Sequence, residues 1–166
     1  SASVTVQAGG AQTRADLAIT PMDITITPSR PQAGQTVSIA ARVRNQGTES
    51  AFGFTLEFFD GAPESGGTLI HSETLSLAAG VDQTFTANWA ITEGIHDIYV
   101  VLDRLNTVVE TDEGNNKAAV RVMTDMVDLS ISATDLTFSI PRPVSGDSVV
   151  LSLSMHNNGI RNTGAF

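Results

Sequence analysis

A chain of 166 residues with 41% hydrophobic and 16% charged residues has enough apolar matter for a core and too little charge for disorder. Its 18 acidic against 9 basic residues give a net charge of −9. That balance excludes the cation clusters that grip nucleic-acid phosphates or an anionic membrane. There is no cysteine, which excludes disulfides, thiolate catalysis and Cys-ligated metals, and no apolar run is long enough for a transmembrane helix.

In chain order, the dominant period is two. Val4 and Val6 match Val120 and Val122, so Ser1–Val6 reads as the closing strand of a preceding unit, with Gln7–Ala15 as a small-residue linker. That stretch lacks the basic and apolar regions of a signal peptide, so an exported protein would carry its signal upstream. Leu17 and Ile19, then Ile24 and Ile26, flank Pro21 and predict an edge strand that breaks and resumes. Thr36–Asn45 alternates cleanly, with Val37, Ile39, Ala41 and Val43 on one face. Phe52–Asp60 places Phe52, Phe54, Leu56 and Phe58 together, and Leu69, Leu75 and Leu77 give weaker signals around His71. Phe85, Ala87, Trp89 and Ile91 follow, then Ile98, Val100 and Leu102, and finally Ala118, Val120 and Val122. Turn residues separate these runs at Pro31–Gly34, Asn45–Gly47, Gly61–Gly67, Ala79–Gly80, Glu93–Gly94 and Glu113–Asn116. About seven short strands at this spacing predict an all-β, immunoglobulin-like antiparallel sandwich that, lacking a cysteine pair, relies on packing of Trp89 with the Phe and Ile faces.

The pattern then starts again. Asp16–Phe54 aligns without a gap to Asp128–Phe166, an offset of 112 residues. Leu17/Leu129, Asp23/Asp135, Gly34/Gly146, Asn45/Asn157 and Gly47/Gly159 are among the identities. They fall on turn formers and inward-facing apolar positions, as a shared backbone requires. A fixed long period marks tandem domains. The expected division is residues 1–15 as the end of one repeat plus linker, 16–124 as a complete sandwich, and 125–166 as the truncated start of another.

The central unit resembles the CARDB family, the cell-adhesion-related domain of bacterial and archaeal surface proteins. The resemblance rests on Asp16-Leu17, on Gly34 and Val37, on Val43-Arg-Asn45-Gln-Gly47, and on Trp89. It continues through Val100-Val-Leu-Asp103 to Val109-Glu110-Thr-Asp-Glu113-Gly-Asn115-Asn116. It implies a modular extracellular sandwich used as spacer or adhesive element, and it implies no reaction. Arg104-Leu105 and Gly114 depart from the family's pattern at two turn positions.

Several residues invite chemistry. Glu110, Asp112, Glu113, Asn115 and Asn116 form an oxygen-rich cluster, readable as a structural turn or as a calcium site of non-EF-hand spacing. Phe59 and Tyr99 fall off the inward set, either as outward aromatics that stack on a sugar or a neighbouring domain, or as isolated exposed rings. His71, His96 and His156 lie in predicted strands and read as exposed. His96 and Asp97 point to opposite faces and cannot act jointly. No nucleophile elbow exists, and Gly61–Gly67 lacks the lysine and helix of a phosphate loop. The expectation is therefore a non-enzymatic structural or adhesive module without a required cofactor, in a surface protein or filament. Its partners would be neighbouring repeats or identical subunits, with a surface glycan or protein as a further possibility. The alternatives are a carbohydrate- or protein-binding module assisted by calcium, and a subunit that self-assembles by strand complementation.

Overall fold

The structure, a computed structural model, describes residues 13–125 and 127–159. The expected strand over Ser1–Val6 and the strand ending at Phe166 lie outside the described residues. In the first unit the strands are β1 (Leu17–Ala18), β2 (Ile24–Thr27), β3 (Thr36–Asn45), β4 (Ala51–Asp60), β5 (Thr68–Leu77), β6 (Asp82–Ala90), β7 (Ile95–Leu102) and β8 (Lys117–Met123). One sheet has β3 at its centre, with β6 on one edge and β1 and β2 in succession along the other. The second sheet runs β5-β4-β7-β8, and every pairing in both sheets is antiparallel.

The interrupted first strand follows from Pro21. Proline cannot donate to a ladder, so the chain leaves β3 for one 3-10 turn at Pro21–Asp23 before resuming as β2. Thr20 caps that turn: its hydroxyl donates to Asp23 Oδ2 at 2.5 Å, as does its backbone N–H at 2.9 Å. Arg44 on β3 donates to the other oxygen of Asp23 and ties the turn back to the sheet.

The inward faces meet as the alternation predicts. Val37, Ile39, Ala41 and Val43 face Phe54, Leu56, Phe58, Ile98, Val100 and Leu102, all essentially inaccessible to solvent. Each buried side chain of this size contributes about 1.5–3 kcal/mol. Trp89 packs against this core, as expected. It sits half-buried at the rim, its ring edge-on to His96 at 5.0 Å, while Phe54 and Phe58 fill the centre.

Phe52 also departs from its predicted face. A register shift between Phe52 and Phe54 carries Gly53 at φ +70°, so one extra residue turns Phe52 outward to 72% exposure. Alternation predicts a face only while the ladder is regular. A second shift between Phe58 and Phe59 lies further along the same strand.

Beyond Asp125, β9 (Leu129–Ser130) pairs with β12 (His156–Asn157), and β10 (Leu136–Phe138) pairs with β11 (Leu151–Leu153). Leu129 faces Asn157 as Leu17 faces Asn45, and Phe138 faces Leu151 as Ile26 faces Ile39, at the same 112-residue offset. Ser132 and Asp135 rebuild the Thr20–Asp23 cap. Leu129, Ile131, Phe138, Leu151, Leu153 and Met155 of this segment are exposed.

The bulge gives a contrast that stability measurements read directly. Phe54→Ala is expected to cost about 3–5 kcal/mol, as for a buried ring, while Phe52→Ala stays within about 0.5 kcal/mol. Equal losses in urea denaturation would place Phe52 in the core and refute the bulge.

Candidate functional site

The oxygen-rich loop between β7 and β8 wraps the incoming segment of the chain. Ala15 and Glu110 form a parallel bridge, in which the Thr111 N–H donates to the Ala15 carbonyl at 2.9 Å. The Ile19 N–H donates to the Asn115 carbonyl at 3.0 Å, and the Asn115 side-chain amide donates to Asp16 Oδ1 at 2.9 Å. Glu110 is the centre of this contact and is only 3% exposed. One of its oxygens accepts the Leu17 N–H and the other accepts the Asn116 amide at 2.9 Å.

The loop also closes on itself. Glu113 Oε1 accepts the Glu110 N–H at 3.1 Å, and Asp112 Oδ1 accepts the Gly114 N–H at 2.8 Å. Asp103, at φ +42°, holds the preceding turn by accepting from the Thr107 N–H and hydroxyl and from the Val108 N–H at 2.6–3.0 Å. Sequence reasoning named Asp103 within a motif but gave it no role. Its short acceptor side chain ahead of a Thr is the signal for such a turn.

On the other side of the incoming segment, Asn45 makes four bonds at the end of β3. Its amide nitrogen donates to the Glu49 and Leu77 carbonyls at 2.8 and 3.1 Å. Its oxygen accepts the Asp16 and Gly47 N–H groups, both at 3.1 Å. Gly47 must be glycine here: a Cβ would stand 2.3 Å from the Arg14 carbonyl. The same carbonyl accepts from Thr48 and Glu49. Asn157 repeats the pattern, accepting from Asp128 at 3.1 Å and Gly159 at 3.0 Å.

Burial, reinforced by the charges of Glu113 and Asp103, pushes the Glu110 carboxyl up to about 7 against the opposing pull of its two hydrogen bonds. The folded chain therefore holds this proton more tightly than the unfolded chain. The resulting stability is complete below the ordinary 4.5 and is lost as the pH rises through about 7. A protonated Glu110 has a natural acceptor, because Asn116 Oδ1 is buried without a partner and reaches it by rotation of the amide.

The five residues proposed for calcium are thus brought together, but their carboxylates are engaged by N–H groups. Asn115 Oδ1 and Asn116 Oδ1 alone remain buried and unpartnered in the loop. Among the described residues no group of three or more His, Asp or Glu is placed to hold a metal ion.

The remaining candidates are scattered. His96 is a correction: it is 8% exposed, not on the surface, because it shares the inward parity of Ile98 and Val100. Its Nδ1 lies 2.9 Å from Asp60 and its Nε2 3.1 Å from the Thr92 carbonyl. Asp97 points to the opposite face and pairs with Arg121 at 2.7 Å. His71 and His156 are exposed, in β5 and β12. Phe59 and Tyr99 stand opposite each other on β4 and β7, off the core face as expected. Phe59 is nonetheless covered, at 4% exposure, with the Arg104 guanidinium 5.4 Å above its ring, and Tyr99 is half-buried. A cation over an aromatic face shields it as effectively as a hydrocarbon neighbour would.

These features define an immunoglobulin-like β-sandwich module whose motif residues secure its first strand. The CARDB family model matches residues 14–120, and the chain belongs to the CARDB family. That family is associated with cell-surface and adhesion-related proteins. Among solved structures, the crystal structure of the CARDB domain of PF1109 from Pyrococcus furiosus, in complex with di-metal ions, is 27% identical. The match has a TM-score of 0.60 and covers 69% of this chain and 96% of that one. The solution structure of the same domain gives 26% identity and a TM-score of 0.58 over 68% and 97% of the two chains. A domain of Geobacter metallireducens is 27% identical, with a TM-score of 0.50 over 61% and 90%. No curated protein matches. No described helix is long and apolar enough to cross a membrane.

Glu110 supplies the test of this site. Glu110→Ala orphans the Leu17 N–H and is expected to cost about 2–4 kcal/mol, whereas Glu110→Gln keeps an acceptor for Leu17 and a donor for Asn116 Oδ1 and remains folded. Wild-type thermal stability should fall between pH 5 and 8 more steeply than that of Glu110→Gln. Parallel pH profiles for the two proteins would remove Glu110 as the titrating group.

Proposed function

We propose that the chain is a stretch of a tandem array of CARDB modules, serving as spacer and interaction element in a large surface protein. One observation carries this reading. The Asp128–Gly159 segment rebuilds the first unit's register, its capped 3-10 turn and its Asn–Gly corner at a constant offset. A second copy of so detailed a beginning points to serial modules whose natural partners are their neighbours. The net charge of −9 keeps such an array from sticking to other acidic surfaces. The family's association with surface proteins supports an extracellular location.

Catalysis has no support in the site, because each carboxylate of the closing loop is occupied by a fold-forming N–H group and His96 is locked in the sandwich. Binding of a glycan or protein through Phe59 and Tyr99 is the weaker reading. Stacking on Phe59 would require Arg104 to leave first.

Peptide mapping of the native protein, released from cells by mild surface proteolysis, tests the array. The expected result is a mass far above 17.4 kDa, with further peptides carrying the Glu-x-x-Glu-x-Asn-Asn closing. A native chain with one copy beside a catalytic domain would overturn it.

Calcium is a second reading, favoured by the metal ions of the Pyrococcus furiosus relative and by the two orphaned amide oxygens. The engaged carboxylates weigh against it. We expect the same melting temperature in calcium and in EDTA, because a bound ion would raise it by mass action. A calcium-dependent rise abolished by Asn116→Ala would transfer the loop's role to a cation.

A further inference from the structure

The terminal strands of the module lie so that tension along the chain must slide them past each other. β3 is ten residues long, about 33 Å at 3.3 Å per residue, and gives the module a long axis. The chain comes in at the Asn45 end of that axis, where Arg14–Asp16 bond to residues 45–49. It leaves at the other end. There the Thr124 N–H and hydroxyl donate to the Gly94 carbonyl at 3.0 and 3.3 Å, the Thr124 hydroxyl oxygen accepts the Gly94 N–H at 2.9 Å, and the Asp125 N–H donates to the Pro31 carbonyl at 2.9 Å. Between these poles, β1 and β2 run alongside the loop and strand that end at Met123. The contacts progress in step from Ala15–Glu110 through Ile19–Asn115 to the groove shared by Ile24, Ile26, Val120 and Val122. The two terminal segments are parallel neighbours, each leading to the opposite pole.

We propose that the contact between Arg14–Ile19 and the Glu110–Asn116 loop is a force-bearing clasp, which gives the module resistance to stretching along the chain. The idea rests on the spacer reading, since only a module tethered at both ends is stretched. Pulling Arg14 one way and Asp125 the other draws the parallel segments in opposite directions. The hydrogen bonds between the parallel segments run, slanted, from one to the other, so sliding the segments apart loads them together. None yields until the group yields. Were the two segments antiparallel neighbours with both ends at one pole, the same pull would open the pairs singly. Glu110 strengthens the group from within, because a buried carboxylate on the Leu17 N–H and the Asn116 amide must be stripped of both partners before water replaces them.

The second sheet supplies a control within the same module. β7 and β8 are antiparallel, and Ile95 faces Met123 at the pole where the chain leaves. Tension applied between residues just before β7 and just after β8 therefore unzips that ladder from its end. Because the sequence has no cysteine, single introduced cysteines make unique attachment points.

Single-molecule pulling of the 166-residue chain compares handles at Thr13→Cys and Val127→Cys with handles at Glu93→Cys and Val127→Cys. Forced unfolding reports the unfolding barrier along the pulled direction. The first geometry is expected to need a several-fold higher force at the same loading rate, and Glu110→Ala should lower the force in that geometry alone. Equal forces in the two geometries would overturn the clasp. The handle comparison decides the matter even if Glu110→Ala fails to fold, since it leaves the clasp residues intact. The outcome is independent of the array itself: high directional strength in a native protein with a single copy would sink the array and keep the clasp. Equal forces in a protein with many copies would do the reverse.

Discussion

The buried carboxylate of Glu110 accepts the Leu17 N–H at the point where the chain first joins the sandwich. Most of the molecule's organisation depends on that bond. β1 has two residues and pairs with β3 through Leu17 and Ala18, too short a ladder to hold itself against the entropy of a free end. What fixes it is a ring of acceptors from elements distant in sequence: Glu110 and Asn115 on one side, Asn45 on the other. With β1 pinned, Leu17 and Ile19 complete the core between the two sheets. The cost is a carboxylate away from water, expressed in its upward-shifted titration.

The Asn45 corner performs the matching task from within the sheet. One side chain terminates β3, turns the chain through Gly47 and receives the incoming backbone of Asp16. That economy accounts for its recurrence at Asn157 with the same acceptor pattern. The substitution of Arg44 by His156 leaves the partner unchanged, for His156 lies 2.8 Å from Asp135 as Arg44 reaches Asp23. The repeated unit thus keeps its geometry where backbone is being satisfied and varies the nitrogen-bearing side chain that meets the cap's aspartate.

Strand identity and inward faces are legible in the alternating residues wherever the face packs on a regular ladder. Thr36–Asn45 is the clearest case: every predicted inward residue is inaccessible. β5 was faint since it is an edge strand with little buried surface, so its sequence carries little pattern. Phe52 was misplaced by an irregularity that leaves no mark in apolar spacing, although Gly53 inside a strand is the local hint. His96 was misread for a different reason. Its parity with Ile98 places it inward despite its polarity, and Asp60, contributed by another strand, satisfies the ring.

The closing loop was the hardest part to read, and the difficulty is instructive. Three carboxylates and two amides in seven residues look like a ligand set, because cation sites and backbone-capping turns both demand oxygen acceptors. Sequence cannot distinguish them when the groups being accepted lie about 95 residues away. The distinction lies in which donors arrive. Here N–H groups of the first strand and of the loop itself reach the carboxylates of Glu110, Asp112 and Glu113, while the side-chain oxygens of Asn115 and Asn116 stay unpartnered. The loop's position between two termini at opposite poles makes strength under tension, rather than chemistry, the property such a motif is suited to supply.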